Sequence, residues 1–182
     1  IGHLGEQIRD DAGDGSEWGL RILYSDEGPD LLGTGGAIKK ALPLLKDEFL
    51  VQYADAYLPT NYMAAKKAFD ASGLEAQMCV FENHGTLDES NVELDSAKRK
   101  VIYYGKPKKG QTLSFIDCGL LAYKRKVFEK YPEERFDLTV LNAGLAPQGR
   151  LGARVVSERF WEIGRPESLH DMRKTAAKLF GE

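Results

Sequence analysis

Two acidic residues of this chain each follow an apolar, strand-like stretch. Asp55 comes after FLVQYA, and Glu162 lies in FWEIGRP, ahead of a glycine and a helix-starting proline. Because open α/β sheets bind ligands at the carboxyl ends of their strands, carboxylates in such places can hold a cation. Mg²⁺ prefers oxygen ligands, commonly one or two carboxylates with substrate phosphates. The alternatives are a helix N-cap for Asp55, although it stands several residues too early, and a surface turn for Glu162.

A glycine-rich segment, LLGTGGA at residues 31–37, stands just ahead of a predicted helix. Its three glycines, Gly33, Gly35 and Gly36, allow the backbone to approach a flat or phosphorylated ligand closely. The segment matches neither the Walker pattern nor the spaced dinucleotide fingerprint, and many helices start after a glycine turn. By itself it does not indicate a nucleotide site.

The elements that must position these residues alternate between helix and strand patterns. Strands are predicted at LRILYSDE, FLVQYAD, EAQMCVFE, SFIDCGLLAYK and GARVV, with a hairpin at NVELDSAKRKVIYYG. Helices are predicted around Leu4 and Ile8, then at IKKALPLLKDEF, YLPTNYMAAKKAFDAS, KRKVFEKY, FDLTVLNAGLAP and PESLHDMRKTAAKLF. We expect one three-layer α/β domain with a mainly parallel sheet and an added hairpin, in which Leu50, Val80 and Leu120 lie on central strands.

Composition sets further limits. With 182 residues, 42% of them hydrophobic and 29% charged, the chain has the usual size and composition of one globular domain. A formal charge of −3 and the lack of a dense basic block argue against a nucleic-acid partner. No apolar run is long enough for a membrane span and no signal peptide is evident, so we expect a cytoplasmic protein. Cys79 and Cys118 lie in apolar strand patterns and are expected to be buried, reduced thiols.

The order of the motifs resembles that of the sugar-1-phosphate nucleotidyltransferase family. The motifs are LGTGGA, FLVQYADAY, YGKP, FIDCGLLAY and FWEIGRPESL, and the resemblance runs from about Gly2 to the closing helix. It implies a Rossmann-like, GT-A-like fold with Mg²⁺ as cofactor. It also implies transfer of a nucleoside monophosphate from a nucleoside triphosphate to a sugar 1-phosphate, with release of pyrophosphate, for polysaccharide or cell-wall precursor synthesis.

The resemblance assigns roles to the residues described above. The glycine segment would lie against the base and ribose, through Leu32, Gly33, Thr34, Gly35 and Gly36. Asp55 would hold the catalytic Mg²⁺, and Glu162 would be its partner.

Two departures from the family's Trp-x-Asp-x-Gly-Thr stretch affect charged or metal-binding positions. Glu162 stands where the family has Asp, and Arg165 where it has Thr. Glutamate keeps the charge but is longer by one methylene group, so the ion is expected to be displaced or held through water.

Three further residues would bind the sugar phosphate. The family's Glu-Lys-Pro stretch reads Gly105, Lys106 and Pro107 here, so Lys106 would meet a phosphate while the carboxylate that grips a sugar hydroxyl is missing. Asp117 would accept hydroxyl groups, and Gly119 would lie under the sugar ring. The alternatives are a solvated hairpin lysine and a buried structural aspartate.

Family members begin with a strand, a Gly-Gly-x-Gly-Thr-Arg loop around the triphosphate and a Pro-Lys-Pro segment, none of which this sequence contains. We expect residues 1–182 to be a single nucleotidyltransferase domain without that first strand and loop. In this form the chain is expected to be inactive, to bind nucleotide weakly and to associate with itself.

Other functions remain open on the sequence alone. A degenerate homologue could bind a nucleotide or sugar phosphate without catalysis. A glycosyltransferase that uses a nucleotide sugar would usually show two nearby aspartates at the strand end, where YADAY offers one. The nearest family branch acts on mannose, heptose or N-acetylmuramate phosphates with GTP or UTP, but the base, the sugar and the oligomeric state, a homo-oligomer included, stay open.

Overall fold

Helices and strands alternate along the chain, largely as the sequence predicts. The computed structural model describes residues 1–180, and the side chains of residues 1–176. The helices in this part are α1 (Gly5–Ala12), α2 (Gly33–Ala41), α3 (Tyr62–Ser72), α4 (Lys126–Glu129), α5 (Leu138–Leu145) and α6 (Pro166–Phe180). The strands are β1 (Glu48–Gln52), β2 (Ala56–Tyr57), β3 (Ala76–Glu82), β4 (Val92–Leu94), β5 (Val101–Tyr104), β6 (Phe115–Lys124), β7 (Leu151–Val156) and β8 (Trp161–Glu162).

The main sheet is mixed. Its order is β5-β4-β6-β3-β7, and β1 pairs with β6. Strands β3 and β7 are parallel, whereas β6 runs antiparallel to both β3 and β4. The expected added hairpin is β4 and β5, which pair antiparallel. Val80 and Leu120 lie in β3 and β6, which have strands on both sides, as predicted. Leu50 lies in β1, which belongs to the same sheet and pairs with β6.

Two compact units make up the chain. The first consists of residues 1–49 and 124–142, and the second of residues 50–123 and the chain from 143 onward. In the first unit, aromatic pairs form part of the packing: the rings of Phe49 and Phe128 are 5.8 Å apart, and those of Tyr131 and Phe136 are 4.1 Å apart. The glycine segment belongs to this unit, and both candidate metal carboxylates belong to the second.

The second unit is built on an apolar cluster against one face of the sheet. Its buried members are Leu58, Ala65, Cys79, Ile116, Cys118, Leu120, Val156 and Phe160. Burial of each large side chain contributes about 1.5–3 kcal/mol. Both thiols are free and buried, as predicted, and burial raises the pKa of Cys79 to about 12.

The stretch LRILYSDE, residues 20–27, was expected to be a strand and is not one. Alternating apolar residues form a strand only where a neighbouring strand supplies hydrogen bonds, and none lies alongside in the described part of the chain. Leu20 is 63% exposed and Leu23 is 52% exposed, so this alternation buries little apolar surface.

No helix in residues 1–180 combines the length and the apolar character that a membrane crossing requires.

The glycine segment forms the beginning of α2 rather than a loop ahead of it. Helix α2 starts at Gly33, which has a φ of 75°. A Cβ on Gly35 would lie 2.2 Å from the ring of Phe136, and one on Gly36 would lie 2.4 Å from the carbonyl oxygen of Glu134. Packing against residues 134–136 therefore requires glycine here and overrides its weak helix propensity.

Replacing Gly36 by alanine is expected to destabilise the protein by about 1–3 kcal/mol, because the new methyl group would collide with a backbone carbonyl that cannot rotate away. Chemical denaturation measures the effect. Gly144, within α5, is the matched control, since a Cβ there meets no atom within 4 Å. Gly144→Ala should be neutral or stabilising, by up to about 1 kcal/mol. Equal stabilities of the two variants would contradict this account of the α2 glycines.

Candidate active site

A two-stranded sheet brings the two predicted metal carboxylates together in the second unit. Strands β2 and β8 are antiparallel, with Ala56 opposite Glu162 and Tyr57 opposite Trp161. The N–H of Ile163 also donates to the carbonyl oxygen of Asp55 at 2.8 Å. This pairing fixes Asp55 and Glu162 as neighbours although more than a hundred residues separate them in sequence.

The carboxylate groups of Asp55 and Glu162 both lie near the space above Gly164. The position of a Cβ on Gly164 would be 2.3 Å from Glu162 Oε1 and 3.6 Å from Asp55 Oδ2. Two negative groups that share a space repel each other unless a cation lies between them. The donor set, two carboxylates with room for further oxygen ligands, fits Mg²⁺ together with substrate phosphates. Within the described residues, no group of three or more His, Cys, Asp or Glu side chains could hold a metal ion.

The N-cap alternative for Asp55 is wrong. The cap of α3 is Asn61, whose Oδ1 accepts from the N–H of Ala64 at 2.9 Å. Asp55 is exposed in the turn between β1 and β2, as expected for a residue that follows a strand.

Gly119 on β6 sets the position of the segment that carries Asp55. Its φ is 74°, and a Cβ there would lie 3.0 Å from the Cβ of Ala56 and 3.2 Å from Cδ2 of Tyr53. The N–H of Tyr53 donates to the carbonyl oxygen of Gly119 at 2.9 Å. A larger residue at position 119 would push residues 53–56 away from β6. Gly119 therefore helps to determine the position of the turn that contains Asp55. Its role under a sugar ring stays a prediction.

Asp117 is half-buried and well supplied with donors. Its Oδ2 accepts from the Tyr104 hydroxyl at 2.9 Å, and its Oδ1 from the N–H of Gly119 at 2.9 Å. Burial raises the pKa of Asp117 to about 6, although these two hydrogen bonds act in the opposite direction. Burial, followed by the charge of Asp117, also raises the pKa of Tyr53 and Tyr104. Each carboxylate oxygen keeps a lone pair, so a structural role and sugar binding are compatible.

Lys106 lies just beyond β5 and is exposed. Its carbonyl oxygen accepts from the Tyr103 hydroxyl at 2.6 Å, which fixes its backbone. The preceding Gly105 has a φ of 142°, a conformation that a glutamate would adopt only with strain. The backbone here thus explains why glycine stands in place of the glutamate that the resemblance suggests.

In the first unit, the protein itself uses three of the backbone donors of the glycine segment. The N–H groups of Gly35 and Gly36 donate to the carbonyl oxygen of Phe136 at 2.9 and 3.1 Å. The N–H of Leu32 donates to Glu27 Oε2 at 2.7 Å, and Thr34 Oγ1 accepts from the N–H of Leu138 at 2.8 Å. A base or ribose would therefore meet this segment mainly through van der Waals contact, and the predicted nucleotide role of Leu32, Gly33, Thr34, Gly35 and Gly36 stays a prediction.

Several residues that shape the second unit are not predicted by any sequence pattern. Tyr53 and Tyr104 interact with Asp117, and Arg165 pairs with Asp88. No local sequence pattern predicts these two sets of contacts. The partners are distant in sequence and are brought together by the sheet and by the loop after β3. Arg165 was noted only as a departure from a motif.

The family model for nucleotidyl transferases matches residues 3–178. The chain belongs to the nucleotidyl transferase family. The resemblance to sugar-1-phosphate nucleotidyltransferases that the motifs indicate is thereby confirmed.

Three known proteins illustrate the similarity. The N-acetylmuramate alpha-1-phosphate uridylyltransferase of Neisseria meningitidis serogroup B (strain ATCC BAA-335 / MC58) is 32% identical over 131 residues, which cover 69% of this chain and 54% of that protein. The chain thus spans about half the length of this curated relative. HddC from Yersinia pseudotuberculosis, complexed with GMP-PN, is 21% identical with a TM-score of 0.67, over 96% of this chain and 76% of that one. The inositol-1-phosphate CTP transferase from T. maritima is 17% identical with a TM-score of 0.64, over 96% of this chain and 72% of that one.

At these identities the two structures inform on the fold. They confirm the predicted α/β, Rossmann-like nucleotidyltransferase class.

The environment of Asp117 predicts a pH dependence of stability. Because its pKa is about 6 in the folded protein against an ordinary value of 3.8, the folded state binds more protons than the unfolded state between these values. Its contribution to the free energy of unfolding is therefore full below pH 3 and is lost as the pH rises through 6. Relative to Asp117→Asn, the wild-type protein should lose about 3 kcal/mol between pH 3 and pH 7. Urea unfolding at a series of pH values measures this difference, and parallel curves for the two proteins would contradict it.

Proposed function

We propose that the protein transfers a nucleoside monophosphate from a nucleoside triphosphate to a sugar 1-phosphate and releases pyrophosphate. The observation that carries the proposal is the pairing of β2 with β8, which places Asp55 and Glu162 around one space above Gly164. Membership of the nucleotidyl transferase family supports the reaction type. The 32% identical uridylyltransferase, which by its name acts on N-acetylmuramate 1-phosphate, supports a sugar 1-phosphate as acceptor.

Asp55 and Glu162 are the residues that would hold Mg²⁺. Bound there, the ion would supply positive charge to the phosphate oxygens and orient the reacting groups. The two carboxylates would position the ion because the β2–β8 pairing makes them neighbours, and glycine at position 164 leaves room for the carboxylate of Glu162. A phosphate oxygen of the sugar 1-phosphate forms a bond to the α-phosphorus in line, while the bond to the pyrophosphate oxygen breaks. No covalent bond to the protein is needed, so positioning and charge account for catalysis.

The remaining predicted residues would bind the two substrates. Asp117, held by Tyr104 and the N–H of Gly119, would accept hydroxyl hydrogen bonds from the sugar. The exposed Lys106 would meet a phosphate as a point charge. The α2 glycine segment would contact the base and ribose. Mannose, heptose and N-acetylmuramate phosphates, with GTP or UTP, are the substrates to screen first.

Three wider features belong to the same proposal. Residues 1–182 would form one nucleotidyltransferase domain. The protein would act in the cytoplasm. A non-catalytic binding role is the second candidate, because Gly105 and Glu162 depart from the catalytic motifs of the family.

Removing one metal carboxylate should separate metal binding from folding. Asp55→Asn in the full-length protein is expected to lower kcat by about 100- to 1,000-fold, because charge on the reacting phosphates is no longer neutralised. It should also weaken Mn²⁺ binding, measured by electron paramagnetic resonance. The melting temperature should hardly change, since Asp55 is exposed.

Asp171→Asn is the matched control for this experiment. Asp171 is a partly exposed carboxylate on α6 that pairs with Arg159 and lies outside the proposed metal site. It should keep wild-type kcat and Mn²⁺ affinity. Undiminished pyrophosphate release by Asp55→Asn would refute the assignment, whereas Mn²⁺ and nucleotide binding without turnover in the wild-type protein would favour the non-catalytic candidate.

A further inference from the structure

Arg165 is the next residue in the chain after Gly164, over which the two carboxylates lie. It precedes the first residue of α6. The carboxylates of Asp88 and Glu162 both act on it electrostatically, and together they raise its pKa, the hydrogen bond to Asp88 being the largest cause. The chain thus places a fixed positive charge next to the proposed metal site.

Asp88 holds the guanidinium of Arg165. One nitrogen, Nη2, donates to both oxygens of Asp88, at 2.5 Å to Oδ2. Both side chains remain about half exposed, at 58% for Arg165 and 50% for Asp88. An exposed pair of this kind contributes little to stability, so its main consequence is the placement of the guanidinium.

The buried side chain of Asn83 holds the loop that carries Asp88. Asn83 is 1% exposed, and its Nδ2 donates to the carbonyl oxygen of Asp88 at 2.6 Å and to Ser90 Oγ at 3.0 Å. Its Oδ1 accepts from the N–H of Leu87 at 2.8 Å. A buried side chain with three hydrogen bonds keeps residues 83–90 in one conformation, and Asp88 is therefore a fixed anchor for Arg165.

Arg165 has further N–H groups that can donate hydrogen bonds. Both of its hydrogen bonds to Asp88 come from Nη2. Nε and Nη1 of Arg165 make no hydrogen bond with any of the described residues. A guanidinium presents five N–H donors in a planar fork that suits phosphate oxygens. These unused donors belong to a guanidinium that interacts electrostatically with Glu162, one of the two carboxylates that would hold a divalent cation. They therefore suit an anion that also binds that cation.

We infer that Arg165 binds a phosphate group of a substrate at the Asp55–Glu162 pair, and that Asp88 is its positioning residue. The inference rests on the proposed function and adds a specific anion-binding residue to it. Arg165 then supplies part of the positive charge that a phosphate needs at this site. The phosphate belongs either to the sugar 1-phosphate or to the nucleoside triphosphate, and the two sources are separated by the Michaelis constant that changes.

The first test is steady-state kinetics on the full-length protein with Arg165→Gln. Loss of a charge-assisted contact should raise the KM of one substrate by about 10- to 100-fold, while kcat changes far less. Arg165→Lys should recover part of the affinity, because the charge is kept and the fork is lost. Asp88→Asn should raise the same KM by a smaller factor, since Arg165 is then present but not held.

The matched control is Arg159→Gln. Arg159 also forms a partly exposed pair with an aspartate, Asp171, but lies over the ring of Trp161 and has no role in the proposal. Both KM values should stay within about twofold of wild type, as expected for the loss of an exposed ion pair.

A second measurement does not depend on turnover. Inorganic phosphate should bind to the Mn²⁺-loaded wild-type protein in a calorimetric titration, and about tenfold more weakly to Arg165→Gln. Unchanged phosphate affinity together with unchanged KM values would overturn the inference while leaving the proposed function intact. Absence of pyrophosphate release by the wild-type protein with every substrate would instead overturn the proposed function, and the phosphate titration would still decide the role of Arg165.

Discussion

The candidate site of the second unit depends on one short interaction, the pairing of β2 with β8. Each strand has two residues, yet their register places Ala56 opposite Glu162. This contact closes a loop of about a hundred residues. The entropy cost of such a closure grows only slowly with loop length, so a few backbone hydrogen bonds can hold it once the main sheet has formed. Asp55 and Glu162 then become neighbours because of the backbone, without needing a contact of their own.

Strand β6 of the second unit supports the β2–β8 pairing. Because Gly119 has no side chain, residues 53–56 pack closely against β6. Asp117, two residues earlier on the same strand, accepts hydrogen bonds from the Tyr104 hydroxyl and from the N–H of Gly119. A single strand therefore positions both the turn of the proposed metal site and the carboxylate proposed for the sugar. Keeping Asp117 half-buried costs free energy above pH 6, and its donors offset part of that cost. This combination of burial and satisfied polar groups is typical of sites that bind polar ligands.

Periodicity and turn residues were enough to predict most of the elements, including β3, β6, the hairpin and the glycine stop of α3 at Gly73. They failed where tertiary contact decides. Residues 20–27 alternate like a strand but have no strand partner within the described chain. The glycines of α2 lie inside the helix because residues 134–136 pack where larger side chains would collide. For the site, strand ends located Asp55 and Glu162. The Arg165–Asp88 pair joins a loop to a helix start, and no local pattern in either segment contains that information.

The departures from the family motifs have local physical reasons that bear on whether the site can still work. At Gly105 the backbone has a φ of 142°, so glycine relieves strain there. Under the proposed function, the carboxylate that would bind a sugar hydroxyl is then that of Asp117, which Tyr104 holds in place. At Glu162 the longer side chain reaches over Gly164, where a Cβ would be 2.3 Å from its oxygen. Glycine at position 164, which the family motif also has, leaves room for the longer side chain. The two carboxylates consequently still meet around one space, which is what binding a shared cation requires.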